Sequence, residues 1–251
     1  QFTPDLMPAD ITGSQAMTQG EDGTPRLTFR KGPIFAHLVL ADEINRATPK
    51  TQSALLEAMQ EQTVTVAGET LALPEPFFVV ATQNPIEMEG TYPLPEAQLD
   101  RFLMKLIVPF PDVETLTKIG LETTGVAQKA VQKVLDVSEL LKIQTLVREV
   151  VLAPDVARCA AVWVQKTHVG CGDPIVSRSI RFGASPRAVQ SLILAGRAHA
   201  LVQGRTWVSV DDLRAVAVPV LAHRIVLAFD AVLDGVRAET LISSIVQETT
   251  E

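Results

Sequence analysis

The sequence has few of the residues on which several common types of site depend. Its two cysteines, Cys159 and Cys171, are too few for a disulfide framework or a four-ligand zinc site. One tyrosine and two tryptophans offer little surface for stacking nucleic-acid bases. No apolar run approaches the length of a membrane span and no signal peptide opens the chain. We therefore expect a cytoplasmic protein without membrane insertion.

Basic charge is also scarce, and its distribution is uneven. Residues 1–111 contain 7 Lys and Arg against 14 Asp and Glu, whereas residues 112–251 contain 15 of each. The formal net charge of -7 therefore arises in the first part of the chain. Neither part has the basic stripe that non-specific nucleic-acid binding requires, so we expect no nucleic-acid partner.

The most informative stretch is an apolar run that stops at two carboxylates. Leu38-Val39-Leu40-Ala41 is followed directly by Asp42 and Glu43. An apolar run without polar alternation is typical of a strand that is buried on both faces of a parallel sheet. Ligands of such sheets bind at the carboxyl ends of the strands, where carboxylates hold Mg²⁺ or polarise an attacking water. The alternative is a strand that simply leads into an acidic turn.

A second apolar run has a matching polar end. Residues 76–81 are apolar and β-rich, and they lead into Thr82-Gln83-Asn84-Pro85. If the two strands are neighbours, Asn84 lies beside Asp42 and Glu43, and its neutral amide could orient a water near a γ-phosphate. The alternative for Asn84 is turn formation, because Asn-Pro often opens a turn.

Two arginines are candidate phosphate contacts. Arg101 follows residues 95–98, which are predicted to form a short helix opened by a proline. Arg187 lies just inside a longer predicted helix, with Ser185 as its cap and Pro186 in its first turn. A guanidinium suits phosphate because it carries a permanent charge on a rigid fork. The alternative for each arginine is an ordinary solvated surface position.

These motifs resemble the MoxR family of AAA+ ATPases. The likeness is most specific in residues 35–59, 81–85 and 90–102, and it covers essentially the whole chain. The resemblance implies a parallel-sheet P-loop core with a helical lid, and ATP and Mg²⁺ as cofactors. It identifies Asp42 and Glu43 as Walker B, with Asp42 at the metal and Glu43 activating water. It also implies that Asn84 is sensor 1, Arg187 is sensor 2 and Arg101 is the arginine finger.

The resemblance also implies an assembly and partners. An arginine finger acts in the site of a neighbouring subunit, so a homo-oligomer is expected, by family resemblance a hexameric ring. MoxR proteins are regarded as chaperone-like and often occur alongside proteins with von Willebrand A domains. Remodelling or maturation of protein partners is the expected output.

One motif of the resembled family is missing. None of the glycines before Asp42 begins or completes the phosphate-loop pattern G-x-x-x-x-G-K-[ST]. The chain begins at Gln1 inside the family pattern, so we expect an amino-terminally truncated sequence that does not bind ATP by itself. By the resemblance, the strand that precedes the loop lies between strands 38–41 and 77–81. We therefore expect either a slot roughly 9 to 10 Å wide between these strands, or direct pairing or poor order.

The pattern divides the chain into two domains. Prolines interrupt it at residues 109–111, which predicts a partial α/β core over 1–111 and a helical lid over 112–251. The core prediction includes a helix at 48–60, a hairpin around Ala67-Gly68-Glu69 and a strand at 105–108. The lid prediction is helical throughout, with five helices at 113–124, 138–150, 154–168, 185–203 and 209–226.

Two other functions remain open. A non-enzymatic adaptor could use the same surface for protein binding, although an inert copy has no need of all five site residues. A magnesium-chelatase-like motor subunit is a close relative that differs mainly in its partner subunits. Only the first alternative predicts that no phosphate loop precedes this sequence in its gene.

Overall fold

The computed structural model describes residues 1–19, 24–84, 90–125, 131–171 and 174–248. The chain divides into two compact units, Gln1–Arg101 and Phe102–Glu251. The first unit is α/β and the second is mainly helical, which confirms the predicted fold class. Among the described residues, no helix is both long and apolar enough to cross a membrane.

The described residues of the first unit form short strands and three α-helices. A 3₁₀ turn, Ile44–Arg46, lies between β3 and α2. In chain order the elements are α1 Pro8–Thr12, β1 Gly13–Gln19, β2 Pro25–Lys31, β3 Leu38–Ala41, α2 Pro49–Glu61, β4 Thr63–Val66, β5 Glu69–Ala72, β6 Phe78–Ala81 and α3 Glu96–Leu99.

The two predicted site strands, β3 and β6, pair directly. They are parallel, and Leu38 lies opposite Phe78 while Ala41 lies opposite Ala81. The expected slot between them is therefore wrong, and the alternative of direct pairing holds. The expectation that both faces are buried is also wrong, because Leu38, Leu40 and Phe78 are 66%, 63% and 56% exposed. No element of the described residues covers that face.

Two antiparallel hairpins also form in the described part of the first unit. The predicted hairpin is confirmed: β4 pairs with β5, with Val64 opposite Leu71. The sequence did not predict the pairing of β1 with β2, because the charged and polar residues of these strands hide the alternation. Gly13 and Gly32 lie at the end of this second hairpin opposite its turn, and a Cβ on Gly32 would lie 2.2 Å from the carbonyl oxygen of Ile11.

Most of the described helices of the second unit contribute side chains to one core. The largest fully buried side chains of this core are those of Trp163, Leu192, Leu213, Leu221, Ile242 and Ile245. In chain order the elements are α4 Val113–Thr123, α5 Val137–Glu149, α6 Pro154–Lys166, α7 Pro174–Ser179, β7 Ile180–Phe182, α8 Pro186–Val202, α9 Val210–Leu221, β8 Val226–Leu227, α10 Phe229–Leu233 and α11 Ala238–Glu248.

The prediction that the lid is helical throughout is wrong at two segments, β7 and β8, and the five predicted helices leave out α7, α10 and α11. Helix α9 ends at Leu221 and is followed by a 3₁₀ turn, Ala222–Arg224, instead of continuing to residue 226. Strand β8 then pairs with β7 in a short antiparallel ladder. The pairing is between segments far apart in sequence, and each segment is too short to show a period.

The strand predicted at residues 105–108 does not form. These residues are extended but have no strand beside them in the described part of the chain, and Leu106 and Val108 are 73% and 88% exposed. The Lys105 N–H instead donates to the Pro219 carbonyl at 2.9 Å. This contact places residues after Arg101 in the second unit, so the division observed lies before the predicted one at residue 111.

Candidate active site

Polar side chains meet where β3 and β6 end. Because Ala41 lies opposite Ala81, the next residues, Asp42 and Thr82, are also neighbours. The Thr82 hydroxyl donates to Asp42 Oδ1 at 2.6 Å and accepts from the Glu43 N–H at 2.9 Å. We call Asp42, Glu43, Thr82 and Asn84 the strand-end cluster.

The backbone around the cluster continues the parallel ladder beyond the strands. The Thr82 N–H donates to the Ala41 carbonyl and the Ile44 N–H donates to the Thr82 carbonyl, both at 3.0 Å. The Phe2 N–H donates to the Asp42 carbonyl at 2.8 Å. These bonds fix the peptides on both sides of the two carboxylates, so the side chains project from a rigid frame.

Glu43 has an unusual backbone conformation and several partners. Its φ and ψ are 54° and 50°, in the left-handed region that non-glycine residues rarely occupy. Its carboxylate accepts from Gln1 Nε2 at 3.0 Å and from Arg46 Nη1 at 3.2 Å. The hydrogen bonds from Gln1, Arg46 and Asn84 lower the pKa of Glu43, so this side chain is ionised at neutral pH. Strain of this kind is concentrated at functional sites.

Asn84 lies beside the carboxylates, as the sequence predicted for neighbouring strands. Its side chain forms one of the hydrogen bonds to Glu43. The backbone carbonyl of Asn84 accepts from Asn45 Nδ2 at 3.4 Å, which ties the segment after β6 to the segment after β3. The structure thus brings Asp42, Glu43 and Asn84 together.

Sequence reasoning missed two residues that build this site. Thr82 is a common residue type, and only the register of the two strands reveals its partners. Gln52 of α2 is fully buried, and its Nε2 donates to the carbonyls of Ile44, Ala47 and Tyr92 at 3.2, 3.2 and 2.9 Å. A glutamine on the apolar face of a predicted helix was the available signal. Gln52 anchors the segment that follows Glu43.

Arg101 lies at a different part of the first unit. Its Nη1 donates to the Leu56 carbonyl of α2 at 3.1 Å, and none of the described hydrogen bonds joins it to the strand-end cluster. It lines an open cavity of about 300 Å³ together with Ser53, Leu56, Glu57, Gln60, Glu61 and Gln98. The guanidinium is exposed at this surface.

Arg187 belongs to the second unit. As predicted, Ser185 caps helix α8: its hydroxyl accepts from the Arg187 N–H at 3.2 Å, and Pro186 occupies the first position. Arg187 is therefore exposed in the first turn of a long helix. Its position is set by the same cap and proline that identify the helix start in the sequence.

The donor set of the strand-end cluster fits Mg²⁺. Mg²⁺ prefers hard oxygen ligands and commonly takes one or two protein carboxylates together with substrate phosphates and water. Asp42 and Glu43 provide two partly buried carboxylates, and the Thr82 hydroxyl orients the first of them. Within the ranges that the structure describes, no group of three or more His, Cys, Asp or Glu side chains could hold a metal ion.

Comparisons with known proteins agree with this geometry. Residues 1–104 match the family described as "ATPase family associated with various cellular activities (AAA)", and residues 172–245 match the AAA lid domain. The first match contains the strand-end cluster and Arg101, and the second contains Arg187.

Several relatives match nearly the whole chain. The chain is 43% identical to chaperone MoxR1 of Mycobacterium tuberculosis over 98% of its own length and 65% of that protein. It is 32% identical to protein MoxR of Paracoccus denitrificans, covering 90% of this chain and 70% of the relative.

A solved structure has the same fold. A protein from Cytophaga hutchinsonii that has been assigned as an ATPase superposes with a TM-score of 0.91 at 37% identity, covering 98% of this chain and 75% of that one. The fold, the two family matches and the relatives named MoxR all agree. This chain therefore belongs to the MoxR family of AAA+ ATPases.

Proposed function

We propose that the protein to which this sequence belongs hydrolyses ATP with Mg²⁺ and uses the energy to remodel or mature protein partners. The observation that carries the proposal is the strand-end cluster. Two carboxylates and an amide converge at the carboxyl ends of two paired parallel strands, where doubly wound sheets bind their ligands.

Asp42 is the proposed Mg²⁺ ligand. Bound Mg²⁺ would neutralise charge on the β- and γ-phosphates during phosphoryl transfer. The Thr82 hydroxyl donates to one oxygen of Asp42 and so fixes the orientation of this carboxylate. Outer groups of this kind orient a ligand and hold it ready for the ion.

Glu43 and Asn84 are the proposed groups that act on the attacking water. An ionised carboxylate accepts a hydrogen bond from water and raises its nucleophilicity, and the lowered pKa keeps Glu43 in that form. The amide of Asn84 can donate to the γ-phosphate or to the water without adding negative charge. The Glu43 carboxylate accepts hydrogen bonds from Gln1, Arg46 and Asn84. For Glu43 to bind the attacking water, the water must replace at least one of these donors.

Arg101 and Arg187 are the proposed cationic contacts to the nucleotide. Arg101 lies on an exposed surface of its own unit and outside the strand-end cluster, which favours a role in the site of a neighbouring subunit. A trans arginine supplies roughly three to five powers of ten in rate in related phosphoryl-transfer systems. Arg187, at the start of α8, would respond to the nucleotide and move the lid.

This mechanism requires an oligomer, which we propose to be a hexameric ring. The chain spans 65% of the length of chaperone MoxR1, so the activity, substrates and partners of the whole protein are inferred from the part described here. Protein substrates, von Willebrand A domain partners and a cytoplasmic location remain predictions.

The direct test is Glu43→Gln in the full-length protein. The amide keeps the shape of the side chain but removes the charge, so we expect ATP binding to persist while the turnover number falls by about a thousandfold. Calorimetry with ATP and a phosphate-release assay measure the two quantities. Turnover that stays at the wild-type rate would exclude Glu43 from activating water. Glu69→Gln is a matched control, because Glu69 is exposed on β5, outside both the strand-end cluster and the cavity that Arg101 lines.

A further inference from the structure

Gln52 is a fully buried polar residue near the start of α2. Its Nε2 donates to three backbone carbonyls, that of Tyr92 at 2.9 Å and those of Ile44 and Ala47 at 3.2 Å. A carbonyl can only accept a hydrogen bond, so these partners fix the orientation of the amide. The nitrogen of Gln52 therefore faces the turn that follows Glu43.

Glu43 needs support on both sides because its backbone lies in the left-handed region. On its amino side, the Thr82 hydroxyl accepts from the Glu43 N–H at 2.9 Å. On its carboxyl side, Ile44 is held through both of its peptides: its N–H donates to the Thr82 carbonyl and its carbonyl accepts from Gln52. A strained conformation of this kind persists only where its surroundings hold it in place. Gln52 supplies the support that comes from α2.

The same glutamine also reaches a segment that is distant in sequence. Tyr92 lies 40 residues after Gln52, and its carbonyl accepts from the Gln52 amide. The Tyr92 N–H donates to the Asn45 carbonyl at 2.6 Å. The segment at Tyr92 is therefore joined to the turn after Glu43 twice, once by a backbone hydrogen bond and once through Gln52. Two separate attachments restrict the turn more than either one alone.

The oxygen of the Gln52 amide shows that packing alone does not explain this residue. The oxygen is buried, and within the described ranges no group donates a hydrogen bond to it. An unpaired buried acceptor destabilises a fold, so an apolar side chain of the same size would suit packing better. The benefit of the amide lies in its nitrogen, whose partners are the turn after Glu43 and the segment bonded to that turn.

We propose that Gln52 is a positioning residue for Glu43. By holding the turn at residues 44–47 to α2, it sets the direction in which the Glu43 carboxylate meets the attacking water. Gln52 is fully buried and does not itself touch water or nucleotide, so it acts through Glu43 on the chemical step. All of its contacts lie within the first unit. This inference rests on the proposed function, in which Glu43 activates water.

The test is Gln52→Met in the full-length protein, which keeps the size of the side chain and removes the donor. We expect the turnover number to fall by about tenfold, the lower end of the loss that follows removal of an outer group. KM for ATP should not change, since the loss affects the chemical step alone. Turnover is expressed per ATP-binding site, counted by calorimetry, so that unfolded protein is not scored as lost activity. A turnover number equal to that of the wild type, or a loss confined to KM, overturns the positioning role.

A double variant shows whether Gln52 acts through Glu43. Once Glu43→Gln has removed the charge that is positioned, adding Gln52→Met should lower the residual rate by less than about twofold. Single-turnover measurements resolve these low rates. Two losses that multiply in full overturn the positioning role and leave the proposed function standing. Wild-type turnover in Glu43→Gln alone overturns the proposed function, and the positioning role with it.

Two further variants complete the design. Gln52→Asn keeps a neutral amide but shortens the side chain, so its nitrogen cannot reach all three carbonyls at once. We expect turnover to fall by about twofold to fivefold, with no further loss in the Glu43→Gln background. If Gln52→Met does not fold, this variant decides the question, and unchanged turnover overturns the role. Gln15→Met is the matched control: Gln15 is exposed on β1, outside the strand-end cluster, and its turnover should equal the wild-type value.

Discussion

The hydroxyl of Thr82 donates to Asp42 Oδ1 at 2.6 Å and connects the ends of two parallel strands. The same oxygen accepts from the backbone N–H of Glu43, so one threonine contacts both Asp42 and Glu43. Its position depends only on the register of β3 with β6, in which Ala41 and Ala81 lie opposite each other.

Replacing Thr82 with valine in the full-length protein should weaken the metal site. Valine keeps the shape but removes the donor to Asp42, and loss of such an outer group costs roughly 10- to 100-fold in metal affinity or activity. We expect the Mg²⁺ concentration for half-maximal turnover to rise by at least about tenfold. Thr82→Ser keeps the hydroxyl and should behave like the wild type. Equal Mg²⁺ dependence of the valine and serine variants would refute the role.

The chain of residues 1–251 should not bind ATP in the micromolar range. The strand-end cluster supplies contacts to metal and water, but this sequence contains no phosphate-loop motif to hold the phosphates. Titration calorimetry of this chain with ATP and Mg²⁺ measures the affinity. Micromolar binding would mean that another segment of the chain replaces the loop.

Asp212 should be among the most important polar residues for stability of the second unit. Its carboxylate is 1% exposed and accepts from Arg205, His199 and Ser209. The hydrogen bond from Arg205 holds the pKa of Asp212 well below its usual range, although burial opposes this shift. Asp212→Asn should lower the free energy of unfolding by about 3 kcal/mol, because it removes the buried charge that the partly buried side chains of Arg205 and His199 bind.

A matched control lies next to it in the chain. Asp211 is 83% exposed and pairs with Arg214 at the surface, so Asp211→Asn should change the free energy of unfolding by less than about 0.5 kcal/mol. Urea unfolding can be followed by fluorescence, since Trp163 and Trp207 both lie in the second unit. Equal losses in the two variants would show that the buried network adds nothing.

The second unit should lose stability in mild acid. Burial, aided by the nearby charges of Arg224 and Lys105, lowers the pKa of His223 from 6.5 to about 4. The unfolded chain therefore takes up a proton near pH 6.5 that the folded chain takes up only near pH 4. The free energy of unfolding is unaffected above this range and falls as the pH drops through it, by up to about 3 kcal/mol.

His223→Gln isolates this contribution. Glutamine can still donate to the Phe102 carbonyl but has no proton to gain in this range. As the pH falls from 7 to 4.5, the free energy of unfolding of the wild type should decrease relative to that of the variant. A difference that stays constant with pH would show that His223 does not titrate as the structure implies.

The sequence was most informative where the relevant pattern is local. An apolar run that ends at Asp42 and Glu43 marks the strand end, and Ser185 with Pro186 marks the start of α8, because each signal lies within a few residues. Ser209 and Asp212 likewise cap the start of α9 and lie within four residues of each other. The catalytic roles of Asp42 and Glu43 stay predictions.

The sequence was least informative where contacts join distant segments. The pairing of Ile180–Phe182 with Val226–Leu227 and the hydrogen bond from Arg224 to the Phe102 carbonyl depend on the folded arrangement and leave no period in the chain. The apolar residues after Pro219 resemble a continued helix, so the end of α9 at Leu221 was missed. Thr82 and Gln52 were overlooked because ordinary polar residues gain importance only from their partners.

The uncovered side of the β3–β6 pair has a practical consequence for handling the polypeptide. An exposed apolar strip on this pair consists of Leu38, Leu40, Phe78 and Val80. Neither outer edge of the two-stranded sheet pairs with a further strand among the described residues. A second chain can pair its strands with the free edges of such a sheet or bind to the apolar strip through its own side chains. Residues 1–251 prepared in isolation would therefore aggregate at high concentration and bind hydrophobic dyes, whereas any segment that caps the strip would also act as a solubilising partner.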